Sequence, residues 1–590
     1  MKYSRLYLQS HQVSQAYSAN PGMNRLLRGG YVREIGPGLY GILPIGRRVM
    51  ENIMQVIRRE FAALEGEEIL LPLIGPSELW TETGRDQVLS DQLTYFKDKQ
   101  DKSLVLSPSH EEACIALARQ SFNDVQQLPS FLYQFQSKFR DEEPHAMGLV
   151  RAREFLMADA FSLHATEVGL NNFFPKIYQT FQKIFSCFGL DVIIAPGAAE
   201  FSAGDQAYEI LVPARKGEHT LISCKNCDYS ANQDVAVGLF KTKANRLRPL
   251  EVIPGLQKST PHEVQSAMGV PPERLIHCPV YVTVNGVAMA VLRTDQHISR
   301  DKLSRCLGEP VVRLARDAEL LELGLVPSFV SPLNLDSEER ERWGLRIVVD
   351  NAVAESTNLI MPGNQDGLYY ANANFGRDFG GDVVGDIARV DEHCRCYHCG
   401  GELASQKVEK LAHLYRMGDS YSRSMHFSLV DERGDEIFPH LGSYGLGIGR
   451  LMATVAEYRS DHRSLCWPLS IAPYKALLVV VGRGKTIQQI AENVYEKIQD
   501  FVLWDDRKIP VTEKFRDADR LGIPIRLVIS AQSLEDGNLM FSHRLLSRPT
   551  RIPFHRVSQK IEDLEKLEQA VGPQKAPGLV SFREESKGER

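Results

Sequence analysis

The sequence predicts an α+β fold of several domains, and three observations carry this. Residues 137–164 read as strand, loop and strand around a dense set of charged side chains. Residues 234–386 change in composition, with frequent Pro and Gly turns between short strands, as an inserted α+β domain would. From Pro468 onward strands alternate with helices as βαβαβ, which implies a mainly parallel sheet with helical crossovers. At 590 residues the chain is too long for one core. Its 43% hydrophobic and 24% charged content fits a folded soluble protein, and no stretch reaches the roughly 18 apolar residues of a membrane span. The N-terminal stretch lacks an apolar segment with a small-residue cleavage site, so the expectation is a cytoplasmic protein with no membrane contact. A net charge of −6 excludes indiscriminate coating of nucleic acid but leaves room for a local basic surface that grips one folded RNA.

Taken in order, Ile53, Ile57, Phe61 and Leu64 recur at helical spacing and predict an amphipathic helix over 46–64. Residues 68–73 follow as a short apolar strand whose Pro72 suits an edge or a subunit boundary. Leu79, Trp80, Thr83, Gly84 and Arg85 read as a turn. Residues 103–106 read as a strand that leads into a helix start at 107–112. Ser109 and Glu111 could hold a small polar ligand there, or Ser109 could simply cap the helix. In the hairpin, Arg140 and Glu142 lie on the outbound side, Arg151 and Phe155 on the return. That set can place guanidinium groups on phosphate, a carboxylate on an amino group and an aromatic face under a base. A nucleotide is the natural guest; a solvated hairpin with surface ion pairs is the alternative.

Residues 199–209 read as a Gly- and Ser-containing loop before a strand at 210–212. Two Cys-x-x-Cys pairs follow, Cys224 with Cys227 and, far downstream, Cys396 with Cys399. Two thiolate pairs on tight turns supply four soft ligands for a tetrahedral zinc ion, with the intervening stretch looped out from that clasp; Cys394 and His398 are alternative ligands. Strands are expected over 280–284 and 288–292. Glycines alternate in residues 441–450 before a helix that starts near Arg450, which lets a strand approach a ligand closely or lets backbones pack. The last domain shows strands at 476–481, 501–504 and 525–529, with a helix carrying Ile487, Ile490, Val494 and Ile498. The charged tail from residue 562 is expected to fray after a short helix.

In this order the pieces resemble a class II aminoacyl-tRNA synthetase of the bacterial prolyl type, over nearly the whole chain. The first class II motif is matched up to Pro72, the second by Phe139-Arg140-Asp141-Glu142 through Phe155, and the third by Gly445 to Arg450. Proline specificity is suggested by Trp80 with Thr83-Gly84-Arg85, by residues 107–112 and 151–160, and by Trp504-Asp505-Asp506-Arg507-Lys508. The resemblance implies an antiparallel catalytic sheet, an inserted α+β editing-like domain, a C-terminal α/β anticodon-binding domain and a homodimer built on the first motif. It implies domains at 1–233, 234–386, 387–467 and 468–570, with a flexible tail at 571–590. ATP, Mg²⁺, L-proline and tRNA(Pro) are the implied ligands, with prolyl-adenylate as intermediate. Arg140 would hold the α-phosphate and substrate carboxylate, Glu142 the adenine amino group, and Phe155 would stack on adenine. Arg151 and Arg450 would take the outer phosphates. Glu111 would meet the ammonium of proline, with Ser109, His413 and Ser443 lining its pocket, and Asp506, Arg507 and Lys508 would face the anticodon.

The sequence departs from that pattern in places. Glu143-Pro144-His145 stands where the family carries Arg-Pro-Arg, and residues 201–209 replace its Gly-Gly-Ser and His-Glu-Phe loop. In the insertion the family's editing lysine is matched by Thr283, and Lys302 is the only lysine between Lys258 and Lys407. The expectation is an insertion that keeps its fold and no longer edits. The competing expectations are a paralogue with a regulatory or accessory role and a zinc-stabilised RNA-binding protein without catalysis.

Overall fold

A computed structural model of the chain describes residues 1–7, 20–89, 92–141, 147–198, 206–242, 245–253, 261–333, 335, 337–460, 464–482, 484–543 and 548–571. Glu142 and the rest of 142–146, the loop residues 199–205 and the tail 572–590 lie outside the described residues.

The centre of the molecule is a nine-stranded sheet, antiparallel except where Glu67–Glu68 runs parallel to Ser130–Phe139. Its middle is formed by Ser130–Phe139, Glu154–His164, His440–Gly447 and the long strand Leu403–Gly418, which also pairs with Gln206–Pro213 and His219–Cys224. Because side chains alternate between faces, each strand sends one set into the core and the other set away from it. Tyr133, Ala160, Tyr444 and Leu414 pair in one row and face the core. The helices Pro44–Ala62, Glu167–Cys187 and Ile448–Tyr458 cover that face with Val49, Ile53, Ile57, Ile177, Phe181 and Leu451. The opposite face is covered in part by helix Glu111–Ser121, whose Cys114, Ile115 and Ala118 cluster with Phe161, Leu163, Tyr415 and Leu441, and the rest of it carries the site.

Several local expectations shift. The first amphipathic helix spans Pro44–Ala62, because Pro44 has the right φ and no N–H to satisfy in a first turn. The strand expected at 68–73 shortens to Glu67–Glu68; Ile69 still donates to the carbonyl of Tyr133 at 2.8 Å, but Pro72 can donate nothing to a ladder. The turn at 79–85 is two short helices, Glu78–Thr83 and Arg85–Val88, joined at Gly84, whose φ of 68° gives the left-handed break. The strand expected at 210–212 begins at Gln206, inside the stretch read as a loop. Arg151 sits in a 3₁₀ turn, Gly148–Arg151, and not on the returning strand.

The insertion is built on a mixed six-stranded sheet that contains Val280–Thr283 and Val287–Arg293, with a smaller three-stranded sheet beside it. Its two ends meet where Gly238–Leu239 pairs with Arg395–Cys396. The C-terminal domain has the expected parallel strands, Ala476–Val480, Val502–Asp505 and Ile525–Ile529, around helix Lys485–Ile498. Two antiparallel strands, Asn538–His543 and Thr550–Pro553, complete a five-stranded mixed sheet. Sequence reasoning missed them because only alternate residues such as Leu539 and Phe541 are buried. Among the described residues no helix is long and apolar enough to cross a membrane.

Candidate active site

On the face away from those three helices, Gln134, Asp159, Gly445, His413 and Glu209 pair strand by strand in a single row. Polar residues at every other position therefore converge on one floor. Gly445 has to be glycine: a Cβ there would lie 2.3 Å from both the ring of His413 and the methyl of Met157. Above this floor opens a cavity of about 490 Å³ lined by Arg140, Arg151, Phe155, Met157, His413, Gly445 and Arg450, among others. Five candidates from three separated sequence regions thus share one cavity.

Their postures differ. The guanidinium of Arg140 lies over the ring of Phe155, 5.3 Å from its centroid, a favourable cation–π contact. Arg151 donates to both carboxylate oxygens of Glu218 at 2.8 Å. Arg450, on the first turn of Ile448–Tyr458, is held by the carbonyls of Val150 at 2.7 Å and Lys410 at 2.8 Å. The ring of His413 stacks on Tyr415 with centroids 4.3 Å apart. Glu209 is buried, paired with Lys410 at 2.9 Å and accepting from Asn232 at 2.6 Å.

Beside the cavity, on the same face of the His440–Gly447 strand as Gly445, Ser443 donates to Glu111 Oε1 at 2.9 Å. Glu111 opens helix Glu111–Ser121, and the cap residue is His110, so Ser109 does not cap it. Ser109 instead accepts from Arg85 Nη1 at 3.2 Å. Arg85, buried against Trp80, stands 2.8 Å from Glu112 Oε1 and 3.6 Å from Glu111 Oε2. Burial alone would raise the Glu111 carboxyl, but Arg85, Ser109 and Lys138 overcome it and bring it down to about 2. Burial raises Glu112, since one guanidinium cannot fully compensate two carboxylates.

A second buried group supports the first. Lys138 bonds both His110 Nδ1 and Asp159, and Gln134 donates to Asp159 at 3.2 Å. His110 Nε2 faces the Pro72 carbonyl at 3.1 Å, so the ring donates there and accepts from Lys138. Burial and then the charge of Lys138 hold the imidazole down to about 3, neutral at physiological pH. Sequence reasoning placed Arg85, His110 and Asp159 within runs that suggest proline specificity but gave none of them a contact of its own, and it did not single out Lys138.

Residues 95–459 match the tRNA synthetase class II core domain (G, H, P, S and T), and residues 475–564 match the anticodon binding domain. A proline–tRNA ligase of Dehalococcoides mccartyi is 31% identical over 568 residues, covering 95% of this chain and 98% of its own. One from Thermotoga maritima is 32% identical over 560 residues, covering 93% and 95%. The chain belongs to the proline–tRNA ligase family. A crystal structure of prolyl-tRNA synthetase from Cryptosporidium parvum, complexed with halofuginone and AMPPNP, shares the fold with a TM-score of 0.55 at 12% identity, covering 93% of this chain and 78% of that one.

Two further features expected from the sequence lie outside this cavity. The sulfurs of Cys224, Cys227, Cys396 and Cys399 all lie within 4.8 Å of one another, with Cys224 to Cys399 at 3.5 Å and Cys227 to Cys396 at 3.7 Å. Thiolates at about 2.3 Å from a tetrahedral ion lie roughly 3.8 Å apart, so the donor set fits one metal. Backbone N–H groups of Asn226 and Cys227 are aimed at Cys224 and lower its thiol to about 7. Cys394 points instead to Asp391 and His398 packs against Tyr397 and Tyr229, so neither alternative joins the cluster.

In the anticodon-binding domain of this ligase-family chain, Arg507 donates to Asp505 at 2.7 and 2.9 Å and to Asp517 at 2.8 Å. Asp506 accepts from the N–H and hydroxyl of Ser4, and Lys508 is exposed.

Proposed function

We propose that this chain carries out the reaction of its family, attaching L-proline to tRNA(Pro) at the expense of ATP. A carboxylate oxygen of proline attacks the α-phosphorus, the bond to pyrophosphate breaks, and prolyl-adenylate forms. The terminal ribose hydroxyl of tRNA then attacks the prolyl carbonyl, and AMP leaves. Neither step needs a protein nucleophile, so catalysis is alignment with charge stabilisation. The observation that carries the reading is the cavity that gathers Arg140, Arg151, Phe155, His413 and Arg450 beside the buried anion of Glu111.

In this reading Arg140 bridges the α-phosphate and the substrate carboxylate, and Phe155 lies under adenine, with Glu142 on its amino group. Arg151 and Arg450 meet the outer phosphates, Arg151 by leaving Glu218. Mg²⁺ bound with the nucleotide would share that charge. Glu111 receives the ammonium of proline, with Ser109, Ser443 and His413 around the ring. The four cysteines hold a structural Zn²⁺ that pins the ends of the insertion. Asp506, Arg507 and Lys508 form the anticodon-facing strand end.

The same reading makes the protein a cytoplasmic homodimer built on helix Pro44–Ala62 and the segment after it. That segment leaves Leu70 74% and Ile74 44% exposed, as a surface awaiting a partner would. The insertion keeps its fold without editing. Aminoacylation of tRNA(Pro) by the purified protein tests the function. Proline-dependent pyrophosphate exchange without aminoacylation would favour a regulatory or accessory paralogue. Absence of both would leave a zinc-stabilised RNA-binding protein.

A further inference from the structure

The first residues of the chain are built into its last domain. Trp504 donates its backbone N–H to the carbonyl of Met1 at 3.0 Å, and Lys2 forms a parallel bridge with Trp504. The C-terminal sheet is thereby extended past Val502–Asp505, its edge strand. Ser4 then satisfies both oxygens of Asp506, its N–H reaching Oδ1 at 2.9 Å and its hydroxyl reaching Oδ2 at 2.6 Å. Tyr3, only 1% exposed, lies beneath the guanidinium of Arg507 with 3.5 Å to the ring centroid.

These contacts fall on two of the three residues proposed above to face the anticodon. Arg507 has its edge donors on Asp505 and Asp517 and one face on Tyr3, so it works as a strut. Asp506, left alone, would present a carboxylate to an approaching phosphate chain; with Ser4 both its oxygens are already bonded. Lys508 follows directly and is exposed.

We infer that Tyr3 and Ser4 are positioning residues for tRNA recognition: they hold Asp506 and Arg507 so that the strand end carrying Lys508 meets the anticodon in one fixed geometry. This rests on the proposed anticodon role of residues 506–508. It adds a contribution from Ser4, 502 residues from Asp506 in sequence, and from its neighbour Tyr3.

The test uses the full chain with Tyr3→Ala, Ser4→Ala, Tyr3→Phe and Lys508→Ala. Tyr3→Ala and Ser4→Ala are expected to raise KM for tRNA(Pro) in aminoacylation about tenfold. Proline-dependent pyrophosphate exchange should stay within about twofold, and Tyr3→Phe should restore the tRNA KM because it keeps the ring. If Lys508→Ala raises the tRNA KM while Tyr3→Ala and Ser4→Ala do not, the positioning role is wrong and the anticodon reading stands. An unchanged tRNA KM in Lys508→Ala as well overturns the anticodon reading, and the inference with it. A parallel fall in exchange would place the effect in the catalytic domain and likewise overturn the inference.

Discussion

Arg85 Nη1 stands 3.6 Å from Glu111 Oε2, with both side chains buried. The pair explains how a carboxylate proposed to bind the ammonium of proline can be buried and ionised at once. Arg85 meets Glu112, Glu111 and Ser109 through Nη1 while its planar guanidinium lies over Trp80, 5.1 Å from the ring centroid; lysine keeps the charge but is one atom shorter and loses that planar contact. Arg85→Lys is expected to raise KM for proline by about 10–100-fold, the range of one or two charge-assisted hydrogen bonds, with KM for ATP little changed. Pyrophosphate exchange at varied proline and varied ATP separates the two, and equal losses on both substrates would count against this assignment.

In the proposed reaction Arg140 is the group on which both halves of the first step converge. Its place in the cavity over Phe155 suits a planar fork that spans two anionic oxygens. Arg140→Lys is therefore expected to lose activity by about 10²-fold or more while the protein remains folded. Near-normal pyrophosphate exchange in this variant would remove Arg140 from the centre of the mechanism.

The contrast between these two arginines shows what a sequence gives up readily. Arg140, Phe155 and Arg450 stand within recognisable strand, loop and helix-start patterns, so their meeting in one cavity was legible. The run that holds Arg85 was matched as a mark of proline specificity, but its contacts were not legible, because two helices of six and four residues carry no usable periodicity and read as a turn. Lys138 was hidden for a different reason. In Ser130–Phe139 the polar residues Gln134, Gln136 and Lys138 fall at every second position, a pattern that ordinarily marks a solvent face. Here the polar face is the floor of the site, and only the pairing of distant strands reveals it. The last two strands of the C-terminal sheet were missed because strand alternation without a β-branched run is a weak signal.

His110 ties this buried floor to pH. Its ring, wedged between Lys138, Asp159, Glu111 and the Pro72 carbonyl, is neutral in the folded protein down to about 3, against an ordinary value of 6.5. Between those values the unfolded chain binds a proton that the native state refuses, so stability falls as pH drops below about 6.5. Each such histidine contributes about 1.4 kcal/mol per pH unit. His164 and His277, both lowered by burial to about 4, act in the same sense. Urea unfolding of the catalytic core at pH 7 and pH 5 should show His110→Gln losing roughly 2 kcal/mol less than the wild type across that interval. Identical pH dependence in the two proteins would contradict the account.

The four cysteines can be tested without reference to activity. If one Zn²⁺ holds them, metal analysis of protein prepared without chelator gives about one zinc per chain, and Cys396→Ser lowers that content. The pairing of Gly238–Leu239 with Arg395–Cys396 should loosen at the same time, opening the base of the insertion to proteolysis. Unchanged metal content in Cys396→Ser, or no zinc at all, would leave the cysteines as a dry packed cluster.

The insertion poses the sharpest question. Thr283 ends the strand Val280–Thr283, is 6% exposed, and donates its N–H to Gly286 across a hairpin. A threonine hydroxyl cannot supply the positive charge that would orient a mischarged tRNA end. Lys302 cannot replace it, because its ammonium is held by both oxygens of Asp386 at 2.8 and 2.9 Å and by the Ala388 carbonyl at 2.6 Å. If the insertion does not edit, discrimination against alanine falls to the synthetic pocket, where the missing carbons are worth about 1–3 kcal/mol each. We expect purified protein to leave Ala-tRNA(Pro) intact at the buffer rate and to accumulate it when alanine is in large excess over proline. The alternative is that Thr283 lies off the site and hydrolysis proceeds through backbone groups and water. Deacylation well above the buffer rate, abolished by deleting residues 234–386, would establish that alternative and show that the insertion still edits.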